Sequence, residues 1–459
     1  MKPNAMFAAL LLLLPATRLR AAPENSSAGN PVTRDTISAR AESPLVRAQQ
    51  FAPAGGTRND PAVAGSVRLA DLVEEALRSN RDIRAAQRKY EASRQRPSQS
   101  STLPDPTLSF MSNNIGNPIP ATTLGEQDMS MAGFDLTQEL PYPGKLLLKG
   151  RMAQKEADAE RHGYRGVELQ VVTQVKQAFY RLRFVHQALD VLQKDRNLLD
   201  QFARIAEARY AVGKAIQPDV LRAQVELTAL EKKRIELEQQ KGSLEAQLAS
   251  LLNRPPDSLF GRPADSPKAA LSVSLDELYQ QGRTQAPALG QEQAMIEKNT
   301  YALDLARKDY YPDFAVGAGW FSRGGLRDLW SVRFDVKVPL YFWRKQRYAV
   351  AESAHSLEQS RREYEAAAQT LHFRIKDDYL MAKASEQLLD LYSQAIVPQA
   401  TLALESAMAS YQVGALDFLS LLTNFQQLLE YELEYHREFA AFHEALARLE
   451  ETTGSRLTE

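Results

Sequence analysis

Tyr210-Ala-Val-Gly213 and Tyr411-Gln-Val-Gly414 decide how this chain folds, because one pattern of tyrosine, valine and glycine returns about 200 residues after its first appearance. Other anchors recur at nearly the same interval. Gln187-Ala-Leu-Asp190 returns as Gln387-Leu-Leu-Asp390, Phe134-Asp135-Leu136 as Phe334-Asp335-Val336, and Pro104-Asp105 as Pro312-Asp313. Self-similarity over so long a period marks a duplication, and two copies are too few for a solenoid. The chain is therefore expected to be one unit built twice, each copy a helix, a β-hairpin and a long helical hairpin.

Working outward, Gly213 and Gly414 read as helix stops, since glycine takes the left-handed conformation without steric cost. Pro218 then suits the first turn of a returning helix, where a missing N–H costs nothing. Upstream, residues 145–212 hold no proline. Val175, Ala178, Leu182, Val185, Leu189, Leu192, Leu199 and Phe202 follow the three-four spacing of a coiled-coil seam. At 1.5 Å per residue such a helix is about 100 Å long. A second long helix is expected over 346–412, interrupted by Pro398. There the interval from Asp390 to Tyr411 exceeds that from Asp190 to Tyr210 by one residue, so a local bend is predicted. Returning helices are expected over 219–252 and 418–453, with the hairpin tips at the two glycines.

Between the helices the period changes to two. Ala132, Phe134, Leu136 and Leu140 alternate with Gly133, Asp135, Thr137 and Glu139. In the second copy Trp330, Val332, Phe334, Val336, Val338 and Leu340 alternate with Ser331, Arg333, Asp335 and Lys337, and Phe314, Val316, Ala318 and Trp320 supply a partner strand. Turns are expected at Asn113–Pro118 and at Gly324-Gly325. Alternation of this kind fits hairpins on a soluble core and strands in a membrane alike. The long helices and the aromatic strand ends (Trp320, Trp330, Tyr341, Phe342, Trp343) favour the membrane, with Trp320, Trp330, Phe334 and Val336 on the lipid face. Four strands cannot close a barrel, and an open sheet leaves backbone groups unpaired in hydrocarbon. Closure demands several copies, and three give twelve strands.

The remaining boundaries follow from composition. Lys2, the apolar run Met6–Leu14 and small residues at Ala16, Ala21 and Ala22 predict an export signal over 1–22. Residues 23–67, rich in Pro, Ala, Gly, Ser and Asn, are expected to be a flexible leader. Copy one spans 68–255 with its β-hairpin at 104–141, a linker covers 256–274, and copy two spans 275–459 with its β-hairpin at 312–341. The first helix begins at Leu69 and is expected to end at Pro97. Lys+Arg 56 against Asp+Glu 57 gives no basic footprint for nucleic acid. The absence of cysteine excludes disulfides, thiolate metal sites and a lipid-modified N-terminal cysteine.

This order of elements resembles the outer membrane efflux proteins of the TolC type, over roughly Leu69 to Thr453. Leu103-Pro-Asp-Pro-Thr-Leu and Gln138-Glu-Leu-Pro-Tyr-Pro-Gly-Lys145 are similar to the subgroup serving heavy-metal exporters of the copper-silver and cobalt-zinc-cadmium kind. The resemblance implies a mainly α fold with a membrane β-barrel part: a homotrimer with a twelve-stranded barrel and a periplasmic α-barrel. It implies a passive exit duct in a Gram-negative outer membrane. Its partners would be a periplasmic adaptor and an inner-membrane pump of the resistance-nodulation-division class, and its cargo heavy-metal cations, with organic drugs as the alternative. The turn regions, with Tyr210, Gly213, Asp219, Tyr411, Gly414 and Asp417, would form the gate and adaptor-docking surface. The chain departs from the family where Ser420 and Thr423 replace two acidic ring positions, which leaves Asp417 as a substitute. Asp219 and Asp417 equally suit helix capping or first-turn placement.

Other chemistry is thin. His436 and His443 are expected to be solvated rather than a metal pair, and Met111, Met129 and Met131 to pack rather than bind soft metal. No nucleophile elbow, phosphate loop or zinc-protease motif is present, so neither catalysis nor a cofactor is expected. A periplasmic coiled-coil adaptor is the competing reading; it would need no apolar strand face.

Overall fold

The computed structural model describes residues 66–269 and 271–457. The expected signal and nearly all of the leader lie outside that range. The first copy comprises α1 (Leu69–Ser79), α2 (Arg81–Ser93), α3 (Arg96–Ser101), β1 (Thr107–Asn113), β2 (Met131–Leu140), α4 (Lys145–Ala211) and α5 (Gln217–Leu251). The second comprises α6 (Leu275–Gln285), α7 (Pro287–Lys308), β3 (Asp313–Ser322), β4 (Leu329–Lys337), α8 (Gln346–Leu391), a π turn (Tyr392–Ile396), α9 (Val397–Val413) and α10 (Phe418–Thr453).

Two local expectations about the first helix need correction. The first helix breaks at Asn80, whose side chain accepts hydrogen bonds from Asp82 N at 2.9 Å and Ile83 N at 3.1 Å and so restarts the chain as α2. Pro97 lies in the first turn of α3, so it opens a helix instead of ending one. Val67, the last residue of the expected leader, pairs with the linker through Val67 N to Arg262 O and Ala264 N to Val67 O, both 2.9 Å. The turn region expected around Asn113–Pro118 lies within a longer connection, residues 114–130, whose Gly125 lies beside Gly324 and Gly325.

The long helices hold two hydrophobic cores. One gathers Val175, Leu182 and Val185 of α4, Leu248 of α5, Ile375 of α8 and Phe442 of α10. The other, nearer the tips, gathers Leu199 and Phe202 of α4, Leu230 of α5, Leu404 of α9 and Phe425 of α10. Phe202 meets Phe425 edge-on, ring centres 5.9 Å apart. Burying a side chain of this size contributes roughly 1.5–3 kcal/mol, so the seam residues dominate the helical packing. The one-residue excess between Asp390 and Tyr411 falls on the π turn, where Val397 N donates to Tyr392 O and the turn takes in the extra residue just ahead of Pro398.

The four strands form one antiparallel sheet in the order β1-β2-β3-β4. Registry aligns Phe110, Phe134, Trp320 and Trp330 in one row across the sheet, and Leu108, Leu136, Ala318 and Val332 in the next. Val316 beside Phe334, and Phe314 beside Val336, continue the same face. Where the sheet joins the helices, the buried Lys145 ammonium pairs with Asp309 at 3.1 Å and Asp313 at 2.9 Å, tying the start of α4 to the start of β3.

Candidate gate and membrane face

Both turn regions end their helices in the same way. Gly213 and Gly414 have φ of 71° and 84°. Gly213 N donates to Tyr210 O and Lys214 N to Arg209 O; Gly414 N donates to Tyr411 O and Ala415 N to Ser410 O. These paired bonds satisfy the last carbonyls of each helix, and only glycine takes the required backbone without strain.

The two turns are not isolated from one another. Arg209 of α4 donates from Nη1 to the carbonyl of Tyr411 and, at 3.3 Å, to that of Gln412, placing a cation on the carbonyl end of α9. Its guanidinium also lies over the Tyr411 ring, 4.8 Å from the centre. Tyr411 is buried against Phe418, ring centres 5.6 Å apart, and its hydroxyl has no hydrogen-bond partner among the described residues. Burial and the Asp219 carboxylate raise the Tyr411 phenol above its ordinary pKa, while Arg209 opposes them. Sequence reasoning missed Arg209. The available signal was a basic side chain just ahead of the quartet's tyrosine in copy one, at the place where copy two has Ser410.

The two aspartates separate in role. Asp417 caps α10, accepting from Ser420 Oγ at 2.6 Å and Ser420 N at 3.4 Å, and these bonds hold its carboxyl below the usual carboxylate range. Asp219 lies in the first turn of α5, half-buried beside Arg222 at 3.7 Å and near Tyr411. Tyr210 is exposed, and its carbonyl serves the first turn. Tyr411, Arg209 and Asp219 thus come together, whereas Asp417 is engaged in its own cap.

The sheet has two unlike faces. Trp320, Trp330, Phe334 and Val336 share the exposed apolar face, and Val332 among them is 85% exposed. On the other face Arg333 bonds Asp335 at 2.8 Å, Thr137 at 3.0 Å and Asp135 at 3.4 Å. Tyr341, Phe342 and Trp343 follow β4 as exposed aromatic residues. Met111 and Met129 are exposed as well, so the packing expected of them is not made within one chain.

The histidine expectation fails for His443. It is buried, stacked on Tyr180 at 4.2 Å, and burial with Arg183 and Lys176 nearby lowers its pKa to about 4. Residue spacing alone placed it on a surface; the neighbouring Phe439 and Phe442 show that this stretch of α10 faces the core. Among the described residues no three His, Cys, Asp or Glu side chains converge as a metal site requires.

The fold is thus a one-faced four-stranded sheet carried on long paired helices, with matched glycine turns at the helical tips. The chain belongs to the outer membrane efflux protein family, whose profile matches residues 72–254 and 278–455. It is accordingly an outer membrane protein of efflux. It is 21% identical to the cobalt-zinc-cadmium resistance protein CzcC of Cupriavidus metallidurans, over 85% of this chain and 91% of CzcC. It is 22% identical to the probable outer membrane lipoprotein SilC of Salmonella typhimurium, over 87% of each. Among solved structures CusC, described in terms of folding and transmembrane channel formation, superposes with a TM-score of 0.73 at 15% identity, covering 84% of this chain and 92% of CusC.

Proposed function

We propose that three copies of this chain close a twelve-stranded barrel in the outer membrane and form a passive exit duct through it. The observation that carries this reading is the open four-stranded sheet with an apolar exposed face and two unpaired edges, β1 and β4. Edges of that kind are untenable in hydrocarbon unless other copies pair with them. Exposed apolar residues on α5 (Leu221, Val225, Ile235) and on α8 and α9 (Phe373, Leu402) give the helices a matching need for neighbours. Single-channel conductance in planar bilayers, with the mass in detergent, tests the reading. A trimer with steady conductance supports it, and a non-conducting monomer removes it.

In this reading the duct conducts and catalyses nothing, and the driving energy comes from an inner-membrane pump of the resistance-nodulation-division class, coupled through a periplasmic adaptor at the turns. Tyr210, Gly213, Asp219, Tyr411, Gly414 and Asp417 form the gate and docking region. Three Asp417 side chains around a narrow axis would attract cations. Asp417→Asn keeps an oxygen for the cap and removes the charge, so cation preference read from reversal potentials should fall. An unchanged reversal potential leaves Asp417 as a cap alone.

The cargo we infer is divalent heavy-metal cations, supported by the likeness to CzcC along most of both chains. Cells lacking this chain should lose tolerance to cobalt, zinc or cadmium while keeping tolerance to organic drugs. The reverse outcome assigns it to organic compounds.

A further inference from the structure

Acidic side chains stand in the seam between α4 and α10 at places its spacing reserves for apolar groups. On α4, Leu192, Asp195 and Leu199 are 3%, 2% and 0% exposed, so Asp195 is a core residue of the seam. On α10, Glu432 falls between the buried Leu429 and Phe439. Here the two hydrophobic cores part: Leu192 and Leu429 belong to the tipward one, Val185 and Phe439 to the other. Asp195 Oδ2 and Glu432 Oε2 are both buried without a hydrogen-bond partner among the described residues, while Lys194 Nζ holds the other oxygen of Glu432 at 2.8 Å. A buried carboxylate is tolerated when it is neutral or fully bonded, and two neighbouring ones cannot both stay ionised at ordinary cost.

We propose that the buried, unpartnered carboxyl of Asp195 holds a proton in the folded protein, and that this proton closes the seam between the two copies of the fold. Burial, with Glu432 adding to it, raises the Asp195 pKa to about 7 against the pull of Lys194. Those are the charges acting on Asp195 from α10 and from its own helix. On α5, Glu231 and Arg234 pair with each other at 2.5 Å beside Gln193 and Arg196. His436, one turn along α10, is influenced by Arg183, Glu432 and Asp190, and burial keeps its pKa low, so near neutrality it adds no charge. With no metal-like cluster among the described residues, a proton is the occupant that fits. The folded pKa of Asp195 lies above its unfolded value of about 4. The stability it contributes is therefore complete below that value and is lost as pH rises through about 7. Alkaline conditions put the Asp195 charge in the seam and loosen the tipward core from the rest.

Infrared titration of the whole detergent-extracted protein, followed in the protonated-carboxyl region, tests this. Wild type should lose the absorbance of one carboxyl with a midpoint near neutrality. That component should vanish in Asp195→Asn and move to higher pH in Lys194→Met. A flat wild-type band across neutrality, or the same component persisting in Asp195→Asn, overturns the proposal. If Asp195→Asn does not fold, Glu432→Gln decides: the midpoint should shift downward, and an unmoved midpoint overturns the proposal equally.

Discussion

Arg209 and Gly414 face each other across the duplication: a Cβ built at Gly414 would stand 3.1 Å from Nη2 of Arg209. The side chain that ends copy one's long helix thus occupies the space that copy two leaves open by using glycine. A charge-assisted contact joins the two tips in addition to the apolar core they share.

Loss of that contact should ease the tips apart. Hydrogen bonds to charged groups are worth about 1.5–3 kcal/mol, and Arg209 makes two to α9 carbonyls. Arg209→Ala should raise mean conductance in planar bilayers, with Arg209→Lys in between. Wild-type conductance in both would confine Arg209 to helix capping.

The two turn glycines should respond unequally to alanine. Each requires a left-handed backbone, at a cost of about 1–2 kcal/mol for other residues. Among the described residues nothing lies within 4 Å of a Cβ at Gly213, whereas Gly414 would also push against Arg209. Gly414→Ala should therefore weaken adaptor pull-down and lower the melting temperature more than Gly213→Ala. Equal effects would show that backbone strain alone matters.

On the sheet, Val336→Lys places a charge on the exposed apolar face and should cost about 2–4 kcal/mol near the bilayer midplane. Ser331→Lys, on the opposite face, should be tolerated. Trimer yield after folding into vesicles compares them, and the reverse order would mean the faces are exchanged.

His443 supplies an acid-sensitive term. Its folded pKa, about 4, lies below the unfolded value near 6.5. Stability is intact above the unfolded value and falls as pH drops from there toward about 4, because the unfolded chain takes up the proton first. His443→Phe should flatten that part of the melting curve against pH; an unaltered slope would place the acid sensitivity elsewhere.

Features written in local periodicity were legible from residues alone. The helices from Lys145 and Gln346, the alternation through Phe334 and the stops at Gly213 and Gly414 each depend on neighbours a few positions away. What escaped depends on distant partners. Asp195 sits in the gap between Leu192 and Leu199 of the recognised seam, yet its meaning requires Glu432 more than two hundred residues on. Arg209 acquires a role only when α9 lies beside it, and His443 only when Tyr180 covers it. Asn80 is the exception, a local cap overlooked because the helical period continues on both sides of it.

The π turn at Tyr392–Ile396 has a consequence for how the two copies can diverge. An added residue in an α-helix rotates everything beyond it by about 100°, which would turn the tip of copy two away from Arg209. A single wide turn absorbs that phase error the way a leap day keeps a calendar in season. The copies are thus free to differ in length, provided the difference is cancelled before Tyr411, and Pro398 at the start of α9 marks where the count resumes.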